Sequence, residues 1–359
     1  FALLSVAAVF SRLSKCVRII WCLLIVASAI SYFQHFSGLE YLTNTFTLIG
    51  FLTVIPYYKF NKNILKSVLV VYAIVVVLVI MFGNRYGESQ ADAVISSNTN
   101  TFAFLLLAFE CMLLALALTY RNKKSKRFIC YLAVIIILFF HVQFSGRSSL
   151  IGLFLIVVYV LFKKYFDKIK NKSLGVLIFA LCVFGVVFAY LYAIVLFDLI
   201  GYGKIRILGK DIFSGRQNIW RDAFEQIQGQ LMFGIGNRLE SIAVNNDTGF
   251  TNLHNQMMGW LITFGLPVFL LISILLGLIL SAYCRKNKSK FFIAVMIMFI
   301  IISYFDTILY STANVPMVIL LLFVAAGVDR KINAVQGGVL SCKKQFTTVG
   351  LEKAKSQLR

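Results

Sequence analysis

Long apolar runs recur along the whole of this chain, and they constrain its fold more than any other feature. A stretch of about 17–25 apolar residues is what a helix needs to cross the hydrocarbon core of a bilayer. Complete runs fall at roughly 17–36, 42–58, 64–82, 101–120, 128–144, 148–162, 173–198, 256–283, 291–306 and 313–328. Residues 1–10 read as the second half of a further run, so the sequence is expected to lack its natural start. Hydrophobic residues make up 60% of the chain and its mean hydropathy is +0.86, which excludes an ordinary soluble domain. The expected class is an all-α polytopic membrane protein. It has about ten complete transmembrane helices, a partial N-terminal one and one large outer loop.

A net charge of +21 would point to nucleic acid in a soluble protein. Here the basic residues sit in short clusters on every second connector, so no nucleic-acid partner is expected. Arg12, Lys15 and Arg18 precede the first complete run. Lys59, Lys62 and Lys66 follow the second, and Arg121 to Arg127 follow the fourth. Lys163 to Lys172 follow the sixth, Arg285 to Lys290 the eighth, and Arg330 and Lys331 begin a basic tail. Cytoplasmic connectors carry such an excess of Lys and Arg, which turns the alternate connectors outward. Those hold most of the acids: Glu40, Glu88, Asp92, Asp211, Asp222, Glu225, Glu240 and Asp247. The chain divides into N-terminal transmembrane helices at 1–198, an extracytoplasmic loop at 199–255, C-terminal transmembrane helices at 256–328 and a cytoplasmic tail at 329–359. The seven cysteines fall in spans or on the cytoplasmic side with no CxxC pair, so no disulfide or cysteine chemistry is expected.

Polar chemistry concentrates in the outer loop. Ser214 followed by Gln217 fits a capping box, which predicts a helix from Gly215 to about Gln228. At 100° per residue, Ile219, Trp220, Ala223, Phe224 and Ile227 lie within about 80° of Arg216, so the arginine projects from the middle of the apolar face. A guanidinium there needs a partner, and the free N–H groups of the helix start add to its pull on an anion. A bound anionic substrate and a structural ion pair both satisfy that need. Arg221 falls on the polar side, as a solvated charge. The Phe233-Gly234-Ile235-Gly236 turn follows no strand and is read as loop geometry. His254 stands where the loop re-enters the membrane, a general-base candidate by its near-neutral titration, or a structural histidine. Asn255 either orients a hydroxyl or caps the next helix. Trp220, Trp260 and Tyr202 either stack on sugar faces or anchor at the interface.

A second cluster, Ser145-Gly146-Arg147-Ser148-Ser149, joins two spans in a short outward hairpin. Arg147 is isolated on the side where positive charge is disfavoured, which points to an anionic partner or to snorkelling among headgroups. Glu110 is an acid inside a span, either protonated or paired with a basic or hydroxyl group, and read as a supporting group ahead of a catalytic one. No D-x-D pair occurs in an outward connector, so the site is expected to meet phosphate with arginines, without metal or cofactor.

Together these residues resemble the O-antigen polymerase and ligase superfamily. The resemblance rests on an SGR turn between spans, Ser-Gly-Arg-x-x-x-Trp-x-x-Ala in a long outer loop, a Gly-x-Gly turn and His-Asn entering a span. It covers about residues 141–266 and is nearest to polymerases of capsular or exopolysaccharide repeat units. It implies a GT-C-like glycosyltransferase in the bacterial cytoplasmic membrane with its active face outward. Donor and acceptor would be undecaprenyl-diphosphate-linked oligosaccharides, and flippase and chain-length regulator proteins are the expected partners in the bilayer. By motif, Arg147 and Arg216 correspond to arginines that hold the donor diphosphate, and His254 to the loop histidine that activates the acceptor. A ligase that hands finished glycan to another acceptor is the near alternative. A lipid-linked oligosaccharide flippase or other transporter is the distant one, and an inert scaffold a further one. Transport would spread polar residues over paired halves, whereas this chain gathers them at one face.

Overall fold

The computed structural model of the chain describes residues 13–35, 39–57, 62–83, 99–120, 123–144, 146–201, 204–207, 210–211, 216–236, 253–287, 289–306 and 315–332. Within them the chain is helical apart from one short antiparallel ribbon that pairs Arg206 with Asp211 and Ile207 with Lys210. In chain order the helices are α1 (Lys15–His35), α2 (Leu39–Val54), α3 (Lys62–Phe82), α4 (Thr99–Thr119), α5 (Lys124–Gln143), α6 (Arg147–Phe166) and α7 (Asn171–Ile200). Beyond the ribbon come α8 (Arg216–Ile227), α9 (Gln256–Lys286), α10 (Phe291–Ile302) and α11 (residues 315–332).

Six of them are long and apolar enough to cross a membrane: α1, α4, α5, α6, α7 and α9. Leu42–Tyr57, Ser67–Phe82 and Phe291–Ile302 are apolar but shorter. The ten runs read from hydropathy therefore include fewer helices of spanning length. The physical reason is clearest at α10. All but two of its 12 residues are buried, so its apolar character answers to protein neighbours and not to lipid. Elsewhere the apolar surface faces outward. Ile19, Val26 and Phe33 of α1, Phe128, Ile135 and Phe139 of α5, and Phe154 and Leu161 of α6 are exposed, a band that water would not tolerate at this extent. The protein is a multi-pass membrane protein.

The centre of the bundle is α9, packed most closely on α7. Gly175 of α7 and Gly277 of α9 meet backbone to backbone, and a Cβ on either would fall within 2.8 Å of the other's carbonyl oxygen. Small residues at such a crossing allow the dispersion contacts that hold helices together in lipid. Trp260 of α9 ties it to α2 by donating its indole N–H to Thr45 Oγ1 at 3.0 Å. At the far end, Asp329 of α11 accepts the first amides of α10, Phe291 N–H and Phe292 N–H, both at 3.0 Å, and the Tyr283 hydroxyl at 3.2 Å. It caps a helix from another helix, satisfying donors that the sequence around Phe291 leaves open.

The α9 helix breaks at Gly265 (φ 82°, ψ 173°), one residue ahead of the Leu266-Pro267 pair. The break exposes carbonyls of Ile262 and Thr263, which the Gly-x-Gly turn takes up: Ile235 N–H donates to Ile262 at 2.8 Å and Gly236 N–H to Thr263 at 3.2 Å. Leu266 N–H donates in return to Leu231 at 2.8 Å, and Ser31 of α1 donates to the Phe233 carbonyl at 2.9 Å. Non-helical backbone within a membrane protein survives where protein groups satisfy it. The turn is thus a clamp on the kink as well as loop geometry.

Candidate active site

The amphipathic pattern in the outer loop decides how the site is assembled. Helix α8 buries Ile219, Trp220, Ala223 and Ile227 against the membrane helices, with Phe224 packed on Tyr190. Trp220 is wholly buried beside Tyr192 and Phe188 and donates its indole N–H to the Leu253 carbonyl. Arg221 is tied to Asp198 at 2.8 Å and to the Ala193 carbonyl at 3.3 Å. Ala193 lies in the π-helical turn Leu191–Leu196 of α7, where widened geometry turns backbone toward a neighbour. Arg221 keeps the solvent-facing place its helical face implies, 36% exposed, and from there also reaches α7. Ser214 and Gly215, the expected start of this helix, lie outside the described residues, as does Tyr202.

So fixed, α8 presents Arg216 from its first turn into a partly buried position. Burial pushes the Arg216 guanidinium pKa down; Asp306 and Tyr192 oppose that, and Arg147 adds to it. The two arginines singled out in the sequence thus come within each other's field, though 69 positions apart. An arginine keeps its charge in a protein. Two guanidinium groups within each other's field, with the Asp306 carboxylate acting on one of them, attract an anion with several oxygens.

His254 is linked to these groups through Asp306. Its Nδ1 lies 3.8 Å from Asp306 Oδ1, an electrostatic contact beyond hydrogen-bond length. Among the described residues it alone combines a side chain with positive φ, 49°. A left-handed backbone costs a non-glycine residue about 1–3 kcal/mol and persists where neighbours over-determine it. They do so here. The Leu253 carbonyl is held by Trp220, and Gln256 N–H donates to the Ser303 carbonyl at 2.8 Å. Between them, Asn255 caps α9 by accepting from Met258 N–H at 2.9 Å while donating to the carbonyls of Gly185 and Tyr304 at 3.1 and 3.2 Å. Its amide is engaged on every side in capping, the second of its two sequence readings. Trp220 and Trp260 are likewise packed inside the protein.

Behind Arg147 lies a fully buried chain of polar groups from three helices. His141 of α5 contacts Glu110 of α4 through Nδ1 at 2.8 Å and Ser149 of α6 through Nε2 at 2.7 Å. The Ser149 hydroxyl donates to the Gly146 carbonyl at 2.6 Å. With that proton committed, Nε2 must carry a hydrogen to donate to Ser149 Oγ, and a second proton bridges Nδ1 and Glu110. The trio locks the turn from which Arg147 starts α6. Replacing Glu110 by Gln preserves a hydrogen bond to His141. Glu110→Ala strands the imidazole in a dry interior, at a cost of about 1–3 kcal/mol. Thermal unfolding in detergent should separate the two, with only the alanine variant clearly destabilised.

Asp306 is absent from the sequence reading, because it ends an apolar run and belongs to no motif. Its signal is slight: a single acid at the end of the apolar run that forms α10. Among the described residues no group of three or more His, Cys, Asp or Glu side chains is gathered as a metal site.

Residues 144–273 match the family model described as O-Antigen ligase. Over that segment, 130 of its 359 residues, the chain is similar to this family. The matched stretch contains Arg147, Arg216, the Gly-x-Gly turn, His254 and the kink at Gly265. No curated protein and no solved structure matches the chain.

Proposed function

We propose that the chain is a metal-independent glycosyltransferase of the bacterial cytoplasmic membrane, working on the outward face. It moves a glycan from undecaprenyl diphosphate to an acceptor hydroxyl. The observation that carries this is the meeting of Arg147, Arg216, His254 and Asp306 at the mouth of α6, α8, α9 and α10. Asp306 faces the Nδ1 side of His254 at 3.8 Å and favours the positive charge that His254 gains when Nε2 takes the proton of the acceptor hydroxyl. The acceptor oxygen bonds to the anomeric carbon as the bond from that carbon to the diphosphate oxygen breaks. The electron pair leaves with the diphosphate, where Arg147 and Arg216 meet the growing charge. The ten-span topology and GT-C-like architecture belong to this same proposal, supported by the alternation of basic connectors.

The family's description favours the ligase form, in which finished glycan passes to an acceptor such as lipid A core, peptidoglycan or protein. The polymerase form, read first from the sequence, uses the same groups with a lipid-linked repeat unit as acceptor. Lipid extracts of a His254→Ala strain separate the two. The ligase form predicts long polymer retained on undecaprenyl diphosphate and lost from its final acceptor. Accumulation of lipid bearing a single repeat unit would instead establish the polymerase form. A normal glycan profile would defeat both.

A further inference from the structure

A large cavity lies at the opposite end of α6 from Arg147, roughly 28 Å away at 1.5 Å per residue. It has a volume of about 1170 Å³, and eight basic residues line it against one acid. They converge from separate elements: Arg127 from α5, Lys163 and Lys164 from α6, Arg285 and Lys286 from α9, and Lys290 ahead of α10. The acid is already engaged. Asp167 pairs with Lys163 and accepts from the Tyr159 hydroxyl and the Lys290 amide, each at 3.2 Å. Lys290 is buried and directs its ammonium to the Ile169 carbonyl.

Basic clusters on a membrane protein ordinarily stand apart in solvent, where salt screens them. Here eight basic residues line one cleft, where a multivalent anion can meet several at once. The wall is also apolar on one side. Leu118, Tyr131 and Val160 line it, and Leu161 at its edge is exposed on the surface of a spanning helix. A ligand that fits both halves carries phosphate oxygens and a hydrocarbon portion. Basic pockets between helices on the cytoplasmic side are recognised sites for such headgroups.

We infer that this cavity binds the headgroup of an anionic phospholipid bearing two phosphates, with its acyl chains running along α6 toward Leu161. The volume exceeds the ordinary range of small-ligand pockets and accommodates a doubly charged headgroup. The site is separate from the arginine pair of the proposed transfer reaction, and its occupancy does not depend on that reaction.

The test is native mass spectrometry of the full chain in detergent. The probes are diphosphatidylglycerol, phosphatidylglycerol, phosphatidylcholine and inorganic pyrophosphate. Diphosphatidylglycerol is expected to be retained at least about tenfold better than phosphatidylcholine, and its retention should fall as salt is raised. The Lys164→Gln/Lys168→Gln/Arg285→Gln variant is expected to lose that preference, and Lys164→Arg to keep it. Equal retention of the neutral lipid, or a preference unchanged in the triple variant, overturns the inference. Binding of pyrophosphate with no retention of lipid assigns the cavity to a water-soluble anion and overturns it too. Should the triple variant fail to fold, the headgroup ranking of the unaltered chain decides alone. Glycan transfer does not enter the readout, so failure here and failure of the proposed reaction are distinguishable.

Discussion

Replacing Arg216 by alanine is expected to lower glycan transfer by about 100- to 1000-fold, the usual loss when one donor to a developing oxyanion is removed. Abundance in the membrane should hardly change. Arg216 sits at the first turn of α8, and the helix is anchored elsewhere, by Trp220 to Leu253 and by Arg221 to Asp198. Lysine at 216 restores the charge but not the paired donors of a guanidinium, so Arg216→Lys should recover activity only in part. Arg147→Ala should resemble Arg216→Ala, and the double variant should lose little more, because groups that serve one leaving group are not additive. The measurement is transferred glycan per unit of membrane-embedded protein. Unaltered transfer in Arg216→Ala would remove this residue from the chemistry.

The second large effect falls on folding. A Cβ at Gly265 would lie 2.4 Å from the Met232 carbonyl oxygen, and one at Gly234 would lie 2.6 Å from both the Ile262 and Thr263 oxygens. Both glycines have positive φ, 82° and 76°. Alanine at either position therefore adds backbone strain of about 1–3 kcal/mol and a comparable overpacking cost. Together these take a large share of the roughly 5–15 kcal/mol that holds a domain together. Gly229 offers a control on the same segment, since nothing lies within 4 Å of the position its Cβ would take. Gly265→Ala and Gly234→Ala should lose most of the monodisperse protein on size exclusion, and Gly229→Ala should not. Equal yields for all three would mean that the clamp at the kink does not hold α9 in shape.

Much of this fold is legible in the sequence because each helix declares itself within its own residues. Apolar length announces the spans, and the stripe Ile219–Trp220–Ala223–Ile227 announces the packing face of α8. Contacts between distant elements leave no such trace. Hydropathy cannot tell a helix facing lipid from one facing protein, so α10 looks like a span although its neighbours bury it. Glu110, His141 and Ser149 sit on three different runs, and no local spacing shows that one proton chain joins them. The candidate site divides the same way. Arg147, Arg216 and His254 stand out because polar residues at the edge of apolar runs need a reason. Asp306 stands at such an edge too, but without a motif around it. The Gly-x-Gly turn is visible as a turn, yet its partner lies some thirty residues on, at a glycine that gives no sign of a kink.

The capping of α10 by Asp329 fixes an order on biogenesis. When the ribosome has delivered Phe291 and Phe292, their amides enter the bundle without an acceptor, because the carboxylate that meets them is still 37 residues or more from emerging. The interior of the bundle stays provisional until residues 315–332 arrive from the C-terminal side. A chain halted before position 329 therefore leaves two helix-start amides and the Tyr283 hydroxyl without the carboxylate that accepts from them.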